Sequence, residues 1–273
     1  MAETFATPRS AAAQGAAGTR PILSVRQIEK VYGNRDSITH AINDISFDVM
    51  PGEFVGIMGA SGSGKSTLLN CIATLDGPTS GRILVEGRDV TAMKSKELTR
   101  FRRERLGFVF QDCNLLDTLT AFENVALALT IRGAPAGEIA GRVRETAELL
   151  DIANCLDKYP YQLSGGQRQR AAAARAIVTD PALVLADEPT GALDSKSARL
   201  LLDRFEALNR SRAATILMVT HDAFTASYCH RILFLRDGAV FSQLERGNMG
   251  RRDFFREIIG VVTALGGDQS DVL

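Results

Sequence analysis

The sequence predicts an α/β fold, and three of its features lead to that prediction. Short apolar runs with the length of buried strands recur along the chain, for example at 54–58, 183–186 and 215–219. Stretches with helical periodicity separate them, including a long one between residues 112 and 178. Finally, 45% of the 273 residues are hydrophobic, which is enough to bury a core of domain size.

The composition argues against several classes of protein. Thirty-two basic residues balance 32 acidic ones, so no general attraction to nucleic acid or to anionic lipid is expected. No apolar run reaches the roughly 18 residues that a membrane-spanning helix needs, and the N-terminus lacks a signal-peptide pattern. We therefore expect a soluble protein that binds no nucleic acid. Four widely spaced cysteines without a C-x-x-C pair predict reduced structural thiols: Cys71, Cys113, Cys155 and Cys229.

The N-terminal part of the chain divides into a tail and a pair of strands. Residues 1–20 are rich in Ala, Gly, Ser and Thr, and we predict that they are disordered. Strand patterns follow at 25–31 and 45–49, and we expect these strands to be antiparallel. Tyr32 lies in the turn after the first strand, where two interpretations remain open: the ring stacks on a base, or it caps the edge of the sheet.

Residues 59–67, GASGSGKST, fit the G-x-x-x-x-G-K-[ST] pattern of a phosphate-binding loop. The loop follows the strand at 54–58 and precedes a predicted helix at 66–74, which is the context that the motif requires. In such a loop the backbone N–H groups surround phosphate oxygens, the lysine reaches the β- and γ-phosphates, and the serine hydroxyl binds Mg²⁺. The alternative is a glycine turn that precedes a lysine by chance. We predict nucleotide contacts from Gly59, Ser61, Gly62, Ser63, Gly64, Lys65, Ser66 and Thr67.

The next segments are a strand at 83–87, a charged helix at 95–104 and a strand at 106–110 that ends at Gln111. Ligand-contacting groups in open α/β sheets lie at the carboxyl ends of strands, so Gln111 is a candidate. The helix has a run of arginines that we interpret as a solvated face, with nucleic-acid binding as the alternative: Arg100, Arg102, Arg103 and Arg105.

The helical stretch from 112 to 178 includes the sequence LSGGQ at 163–167, where Ser164 is placed to cap the helix that follows. Two glycines at a helix start weaken it. They are explained if a phosphate approaches the backbone at this point, and an ordinary loop-to-helix junction is the alternative. The segment is therefore a second candidate for phosphate contact, through Ser164, Gly165, Gly166 and Gln167.

Two further strands end in polar side chains. The run at 183–186 ends in Asp187 and Glu188, and adjacent carboxylates at a buried strand end need a cation or a polar ligand to compensate them. The run at 215–219 leads to His221. A single histidine is more often structural, but its place at a strand end beside a phosphate loop favours a functional role. A hairpin at 232–241 and a helix at 251–265 follow, and we expect this helix to dock on the core rather than on a membrane.

Together, GASGSGKST, Gln111, LSGGQ, LVLADE at 183–188, ALD at 192–194 and His221 resemble the ATP-binding-cassette (ABC) ATPases from residue 21 onward. LSGGQ is the discriminating motif, because phosphate loops occur in many NTPases. The resemblance implies a P-loop NTPase (RecA-like) core with an antiparallel β-subdomain and an inserted α-helical subdomain. The expected ATPase domain spans 21–241, with its helical subdomain at about 112–178. A C-terminal extension with an amphipathic helix occupies 242–273.

By the same resemblance, residues take specific roles in ATP hydrolysis, which needs an in-line water, neutralised phosphate charge and a base. Lys65 holds the phosphates, Glu188 is the general base, and His221 contacts the γ-phosphate. Gln111 senses the metal and the γ-phosphate. The expected Mg²⁺ ligands are Ser66, Asp187 and Gln111. Tyr32 is expected to stack on adenine and Asp194 to lie at a dimer interface.

A finer resemblance is to the macrolide-exporter and lipoprotein-release group, and within it to the bacitracin-export type. It depends on residues 111–120, 191–198, 226–229 and a tail that contains Phe254 and Phe255. It implies an ATPase subunit that powers a permease in export of, or resistance to, peptide antibiotics. The alternative is a lipoprotein-release, macrolide-efflux or cell-division type of mechanotransmission complex. A cassette that acts on ribosomes or DNA is disfavoured, because the chain has one cassette and no basic patch.

The expected partners follow from the same resemblance. They are a second copy of the chain, which would complete an ATP sandwich, an integral-membrane permease, and a membrane sensor kinase reached through the permease. The permease would hold the protein at the inner face of the cell membrane.

Overall fold

The computed structural model describes residues 20–34 and 37–266. The predicted tail at 1–20 therefore lies outside the described residues except for Arg20, and so does the end of the predicted extension at 242–273. Within these ranges the chain forms ten strands, eight α-helices and three short 3₁₀ helices.

The strands are β1 (Leu23–Asn34), β2 (Ser37–Val49), β3 (Phe54–Gly59), β4 (Ser80–Val85), β5 (Arg88–Asp89), β6 (Leu106–Val109), β7 (Leu183–Asp187), β8 (Ile216–Val219), β9 (Arg231–Arg236) and β10 (Ala239–Glu245). The α-helices are α1 (Lys65–Ile72), α2 (Ser95–Arg105), α3 (Ala121–Arg132), α4 (Ala136–Leu149), α5 (Gly165–Ile177), α6 (Ser195–Arg212), α7 (Ala223–Ala226) and α8 (Arg251–Gly266). The 3₁₀ helices span Val90–Ala92, Ala153–Cys155 and Pro160–Gln162. Strand β10 continues across the boundary at 241/242 that the sequence predicts.

The first sheet is antiparallel, with the strand order β2-β1-β4-β5. Val25 in β1 lies opposite Phe47 in β2 and Ile83 in β4, and all three are buried. Residues directly opposite each other in antiparallel strands point to the same face, so the alternating pattern gives this sheet one apolar side. The predicted antiparallel strands are confirmed, although β2 begins at Ser37 rather than at residue 45.

The second sheet has the order β10-β9-β3-β8-β7-β6. Its strands are parallel except for β10, which pairs antiparallel with β9. The central strands are apolar on both faces, and all four residues of β8 are buried, as expected where helices cover both sides. Because β3, β6, β7 and β8 run in the same direction, the loops that follow them meet at one edge of the sheet.

Helices α3, α4 and α5 form the inserted helical subdomain. Helix α3 begins with a capping box, in which the Thr120 hydroxyl accepts a hydrogen bond from the Glu123 N–H at 3.2 Å. Val125 and Leu129 of α3 are fully buried in the same core cluster as Val143 of α4. Four consecutive alanines, at 171–174, are buried in α5 and let neighbouring elements pack closely.

The arginines of α2 make hydrogen bonds and ion pairs with neighbouring residues. Arg102 donates a hydrogen bond to the Thr74 carbonyl at 2.7 Å, Arg105 pairs with Glu86, and Arg100 pairs with Glu104 four residues on. These contacts show that the predicted solvated face also makes ion pairs with neighbouring carboxylates. They give no support to the alternative of nucleic-acid binding.

The C-terminal helix α8 docks on the core, as predicted. Phe254 and Ile258 are fully buried, and the Arg251 guanidinium lies 4.1 Å from the centroid of the Tyr228 ring. No helix between residues 20 and 266, as far as these are described, is long and apolar enough to cross a membrane. All four cysteines are free thiols, as the sequence predicts.

Candidate nucleotide site

The loops at the carboxyl edge of the parallel sheet enclose a cleft of about 740 Å³. Its lining includes Lys65 after β3, Gln111 after β6, Glu188 after β7 and His221 after β8. The four side chains that the sequence assigns to catalysis therefore lie around one cavity. This juxtaposition follows from the parallel order of the strands and is not visible in any single motif.

The phosphate loop packs directly against the antiparallel sheet. Gly64 has φ of +94°, and a β-carbon at this position would lie 2.3 Å from the Ala41 carbonyl oxygen in β2. Only glycine fits both the left-handed backbone and this close approach. The adjacent Ser63 hydroxyl is buried and has no hydrogen-bond partner among the residues that the structure describes. A buried hydroxyl of this kind needs an acceptor, and a phosphate oxygen would provide one.

Lys65 is the cation of this loop. Its ammonium group donates hydrogen bonds to the carbonyl oxygens of Gly59 at 2.9 Å and Ala60 at 2.8 Å. Burial lowers the pKa of Lys65, and the nearby carboxylates of Glu188 and Asp187 act in the opposite direction. A partly desolvated ammonium at the N-terminus of helix α1 suits a polyanionic ligand such as a triphosphate.

Asp187, at the end of β7, lies in contact with Ser66 of the phosphate loop. The Ser66 hydroxyl donates to Asp187 Oδ1 at 3.3 Å. Burial raises the pKa of Asp187, and the hydrogen bond from Ser66 partly offsets that effect. A divalent cation at this point would compensate the half-buried carboxylate.

These residues fit Mg²⁺ bound together with phosphates. Within the described part of the chain, no cluster of three or more His, Cys, Asp or Glu side chains is arranged to hold a metal. Mg²⁺ does not require such a cluster, because it is commonly held by one or two protein groups, substrate phosphates and water. Ser66 and Asp187 supply a hydroxyl and a carboxylate in contact, and Gln111 lines the same cleft.

Glu188 and His221 form a pair at the far wall of the cleft. His221 Nδ1 lies 2.9 Å from Glu188 Oε1. An ionised carboxylate only accepts hydrogen bonds, so the tautomer with the proton on Nδ1 is the one that can donate to it. Glu188 also has φ of +45° in the left-handed region, which is costly for a residue other than glycine. Such backbone conformations are frequent at active sites, where the surrounding structure fixes a side chain in a required position.

Tyr32 lies beside the cleft, but it is not one of the residues that line it. It pairs across the hairpin with Thr39, which does line it. The Tyr32 hydroxyl donates to Asp76 Oδ2 at 2.7 Å, while 42% of the residue remains exposed. One end of the ring is therefore fixed, and part of its surface is accessible.

The LSGGQ segment and Asp194 also lie outside the lining of this cleft. The predicted cap at Ser164 is confirmed: its hydroxyl accepts from the Gln167 N–H at 3.3 Å, and Gln167 Oε1 accepts from the Ser164 N–H at 2.9 Å. The Gln167 side chain is thus engaged in capping α5. Asp194 caps α6, and hydrogen bonds from Ser197 and Lys196 hold the pKa of its carboxyl below the usual value.

Three residues of β2 line the cleft although the sequence did not indicate them: Thr39, His40 and Ala41. Their position depends on how the antiparallel sheet packs against the phosphate loop, which is a long-range contact. The only sequence signal is indirect. The motif requires glycine at position 64, and that requirement implies that another backbone passes close by.

The fold and the site together define a P-loop ATPase with an inserted helical subdomain. A family model described as "ABC transporter" matches residues 42–191, which is more than half of the chain. The chain therefore belongs to the ABC transporter family, as an ATP-binding subunit that hydrolyses ATP. The predicted family and fold are confirmed.

Relatives and solved structures agree with this assignment. The chain is 48% identical to the bacitracin export ATP-binding protein BceA of Halalkalibacterium halodurans, over 92% of this chain and 99% of that protein. It is 41% identical to a macrolide export ATP-binding/permease protein MacB of Paracoccus denitrificans, over 83% of this chain but 34% of that protein. The dimeric structure of the cassette MJ0796 from Methanocaldococcus jannaschii superposes with a TM-score of 0.76 at 39% identity, covering 82% of this chain and 98% of that one. A second dimeric structure of MJ0796, in a post-hydrolysis state with ADP and Pi, has the same TM-score at 38% identity and the same coverage.

Proposed function

We propose that two copies of this chain bind ATP between them and drive a membrane permease that confers resistance to peptide antibiotics such as bacitracin. The set of residues that line the cleft supports the binding of ATP between two copies. The cleft holds the phosphate loop and the hydrolytic pair Glu188 and His221, whereas the LSGGQ segment lies elsewhere on the same chain. A second chain would supply its LSGGQ segment to complete the ATP site.

The proposed chemistry assigns each group in the cleft one task. Lys65 and the loop amides bind the phosphates, and Glu188 accepts a proton from the attacking water. His221 orients the Glu188 carboxylate through the 2.9 Å contact and faces the γ-phosphate. Ser66, Asp187 and Gln111 would hold Mg²⁺, which neutralises charge that develops on the phosphate oxygens.

The proposed dimer is a two-fold pair with its chains arranged head to tail. Residues 164–167 of one chain would face the ATP on the phosphate loop of the other. The Ser164 oxygen accepts from the Gln167 N–H, and a hydroxyl in that role can still donate its own proton to a phosphate oxygen. The amides of Gly165 and Gly166 lie at the start of α5, where helix N-termini bind anions. Asp194 would lie at this interface. The dimeric structures of the similar cassette MJ0796 support this arrangement.

The proposed substrate class is peptide antibiotics such as bacitracin. Its support is the similarity to BceA, which extends over nearly the whole of both chains. A second candidate is a lipoprotein-release, macrolide-efflux or mechanotransmission complex, and the similarity to MacB supports it. In either case the permease would hold the chain at the inner face of the membrane. A sensor kinase would be contacted only through the permease.

A protection assay separates these candidates. Cells would express the permease encoded beside this chain together with either the wild-type chain or Glu188→Gln, and growth would be followed in bacitracin. The first candidate predicts protection with the wild-type chain and none with Glu188→Gln. Equal sensitivity of both strains, with turnover of the wild-type complex intact, would favour the second candidate.

The segment 111–125 is the proposed docking surface for the permease, because it connects Gln111 with the helical subdomain. The sequence predicts three exposed leucines in it. Leu116 is 47% exposed, but Leu115 packs partly against the core and Leu119 is half-buried, so that prediction is wrong for those two. The buried Asn124 amide donates to the carbonyls of Leu116 and Leu119 and fixes the loop that presents Leu116.

We expect Leu116→Cys to crosslink to the permease in membranes. The side chain is exposed and belongs to a loop with a fixed backbone, so a short reagent will capture a nearby partner. Ile259→Cys is the matched control, since Ile259 on α8 is 42% exposed. The readout is the crosslinked product on a denaturing gel. Consistent crosslinking from Ile259→Cys alone would move the docking surface to the C-terminal helix.

For Tyr32 we propose stacking on adenine. Tyr32→Ala is expected to weaken ATP binding about tenfold, since stacking of a base on an aromatic ring is worth roughly 1–3 kcal/mol. Tyr32→Phe keeps the ring and removes only the hydrogen bond to Asp76, so its affinity should stay close to that of the wild type. The measurement is equilibrium binding of ATP to each variant. Equal weakening in both variants would show that the hydroxyl, and not the ring, matters.

A further inference from the structure

Two side chains of helix α5 hold the backbone on both sides of Gln111. Gln169 Nε2 donates to the Phe110 carbonyl oxygen at 2.8 Å. Arg175 donates to the carbonyl oxygens of Cys113 at 2.9 Å and Asn114 at 2.6 Å, one through each terminal nitrogen. The Cys113 thiol in turn donates to Gln169 Oε1. The 110–114 segment is therefore bound to a single helix by four hydrogen bonds.

The 110–114 segment has a backbone that needs such support. Cys113 has φ of +60° and Asn114 has φ of +49°, so two consecutive residues other than glycine are left-handed. This conformation is costly for Cys113 and better tolerated by Asn114, and at Cys113 it persists only where surrounding contacts enforce it. The carbonyls that follow these two torsions are the ones that Arg175 binds.

Gln169 and Arg175 lose part of their hydration when they contact the 110–114 segment. Gln169 is 1% exposed, and burial lowers the pKa of the Arg175 guanidinium. No carboxylate lies within ion-pair distance of Arg175 in the described part of the chain, so neutral carbonyls satisfy its half-buried charge. A guanidinium presents donors in a rigid planar fork, which fixes two neighbouring carbonyls relative to each other and to the helix.

Gln169 and Arg175 together form a clamp on the 110–114 segment. Helix α5 begins at the LSGGQ segment and ends at Ile177, two residues after Arg175. A helix of 13 residues is about 20 Å long and moves as a rigid unit. The clamp therefore links the backbone around Gln111, in one cleft, to the residues 164–167 that the proposed dimer places in the other cleft.

We propose that Gln169 and Arg175 are positioning residues for Gln111. Through their hydrogen bonds, the position of Gln111 in the cleft depends on the position of helix α5. The inference rests on the proposed function, in which Gln111 faces the metal and the γ-phosphate.

A double-mutant cycle in the full-length chain tests this proposal. The variants are Arg175→Met, Gln111→Ala and the two combined, and the readouts are kcat and KM for ATP. Because a displacement near 1 Å can cost up to about 100-fold, we expect Arg175→Met to lower kcat about tenfold with KM changed less than about twofold. In the Gln111→Ala background the same replacement should have no further effect. A kcat loss of equal factor in both backgrounds would overturn the proposal, and so would a wild-type kcat for Arg175→Met.

Arg142→Met is the matched control. Arg142 on α4 also donates to a backbone carbonyl, that of Val178 at 2.8 Å, but it does not contact the 110–114 segment. Its kcat should match that of the wild type. Hydrogen exchange of residues 110–116 gives a second readout. Exchange should accelerate in Arg175→Met and in Gln169→Leu but not in Arg142→Met, and unchanged exchange in both clamp variants would reject the clamp even if one of them were too unstable for kinetics.

The same variants distinguish a failure of the clamp proposal from a failure of the proposed function. Normal turnover of Gln111→Ala would reject the role of Gln111 in the cleft, and with it the clamp's effect on catalysis. A large loss in Gln111→Ala together with independent effects in the double variant would reject the clamp alone.

Discussion

Replacing Glu188 by Gln is expected to lower ATP turnover about 10²–10³-fold while leaving ATP binding nearly unchanged. Glu188 directly follows the buried strand β7, and its carboxylate contacts His221 at 2.9 Å on the wall of the cleft. An amide has the same shape and still fills this place, but it cannot accept the proton of the attacking water. The loss should therefore fall on the chemical step.

Lys65→Ala provides the contrast. Lys65 is buried and reaches the loop carbonyls, so its removal should weaken ATP binding itself. Glu148→Gln on the exposed face of α4 is a control for a neutral change of carboxylate to amide. The measurements are equilibrium ATP binding and steady-state turnover of all three variants. Near-normal turnover of Glu188→Gln would remove Glu188 from the role of general base.

Gly165→Asp is expected to abolish ATP-dependent dimerisation and to reduce turnover about 100-fold, because its carboxylate would face the γ-phosphate of the partner's ATP. The single chain has room for the new side chain. A β-carbon at Gly165 would lie 3.9 Å from its nearest neighbours, on Arg168 and Leu193. Gly165→Ala is therefore a folded control that adds the β-carbon without the charge. Gly166 is unsuitable as a probe, since a β-carbon there would lie 2.7 Å from the Ser197 hydroxyl.

Mixing Gly165→Asp with Lys65→Ala sharpens this prediction. In a mixed dimer one site combines the intact phosphate loop of the first variant with the intact LSGGQ segment of the second. If that site works alone, an equal mixture should regain up to about half of wild-type turnover, because neither variant is expected to pair with itself and each mixed dimer has one good site of two. Dimer formation in the mixture would be checked by sedimentation. Absence of recovery in a mixture that does pair would contradict the head-to-tail arrangement.

Much of the site could be predicted because its chemistry is encoded locally. Residues 59–67 specify the phosphate loop by their spacing, and the apolar runs before Gln111, Asp187 and His221 specify buried strands. Parallel strands then bring these ends to one edge of the sheet. The helix cap at Ser164 was likewise predictable from short-range pattern and is present.

What the sequence did not reveal depends on contacts between distant segments. The approach of Ala41 to Gly64 and the hold of Arg175 on Cys113 and Asn114 join residues far apart in the chain, and no local pattern encodes them. The partial burial of Leu115 has the same origin, since an apolar residue in a loop is buried or exposed according to what packs over it.

The central claim, that a working site needs two chains, is tested most directly by turnover per chain as a function of protein concentration. The wild-type chain would be diluted across the range in which sedimentation shows dimers giving way to monomers at saturating ATP. We expect turnover per chain to fall in parallel with the dimer fraction and to reach a plateau when all chains are paired. Turnover per chain that stays constant where only monomers remain would contradict it.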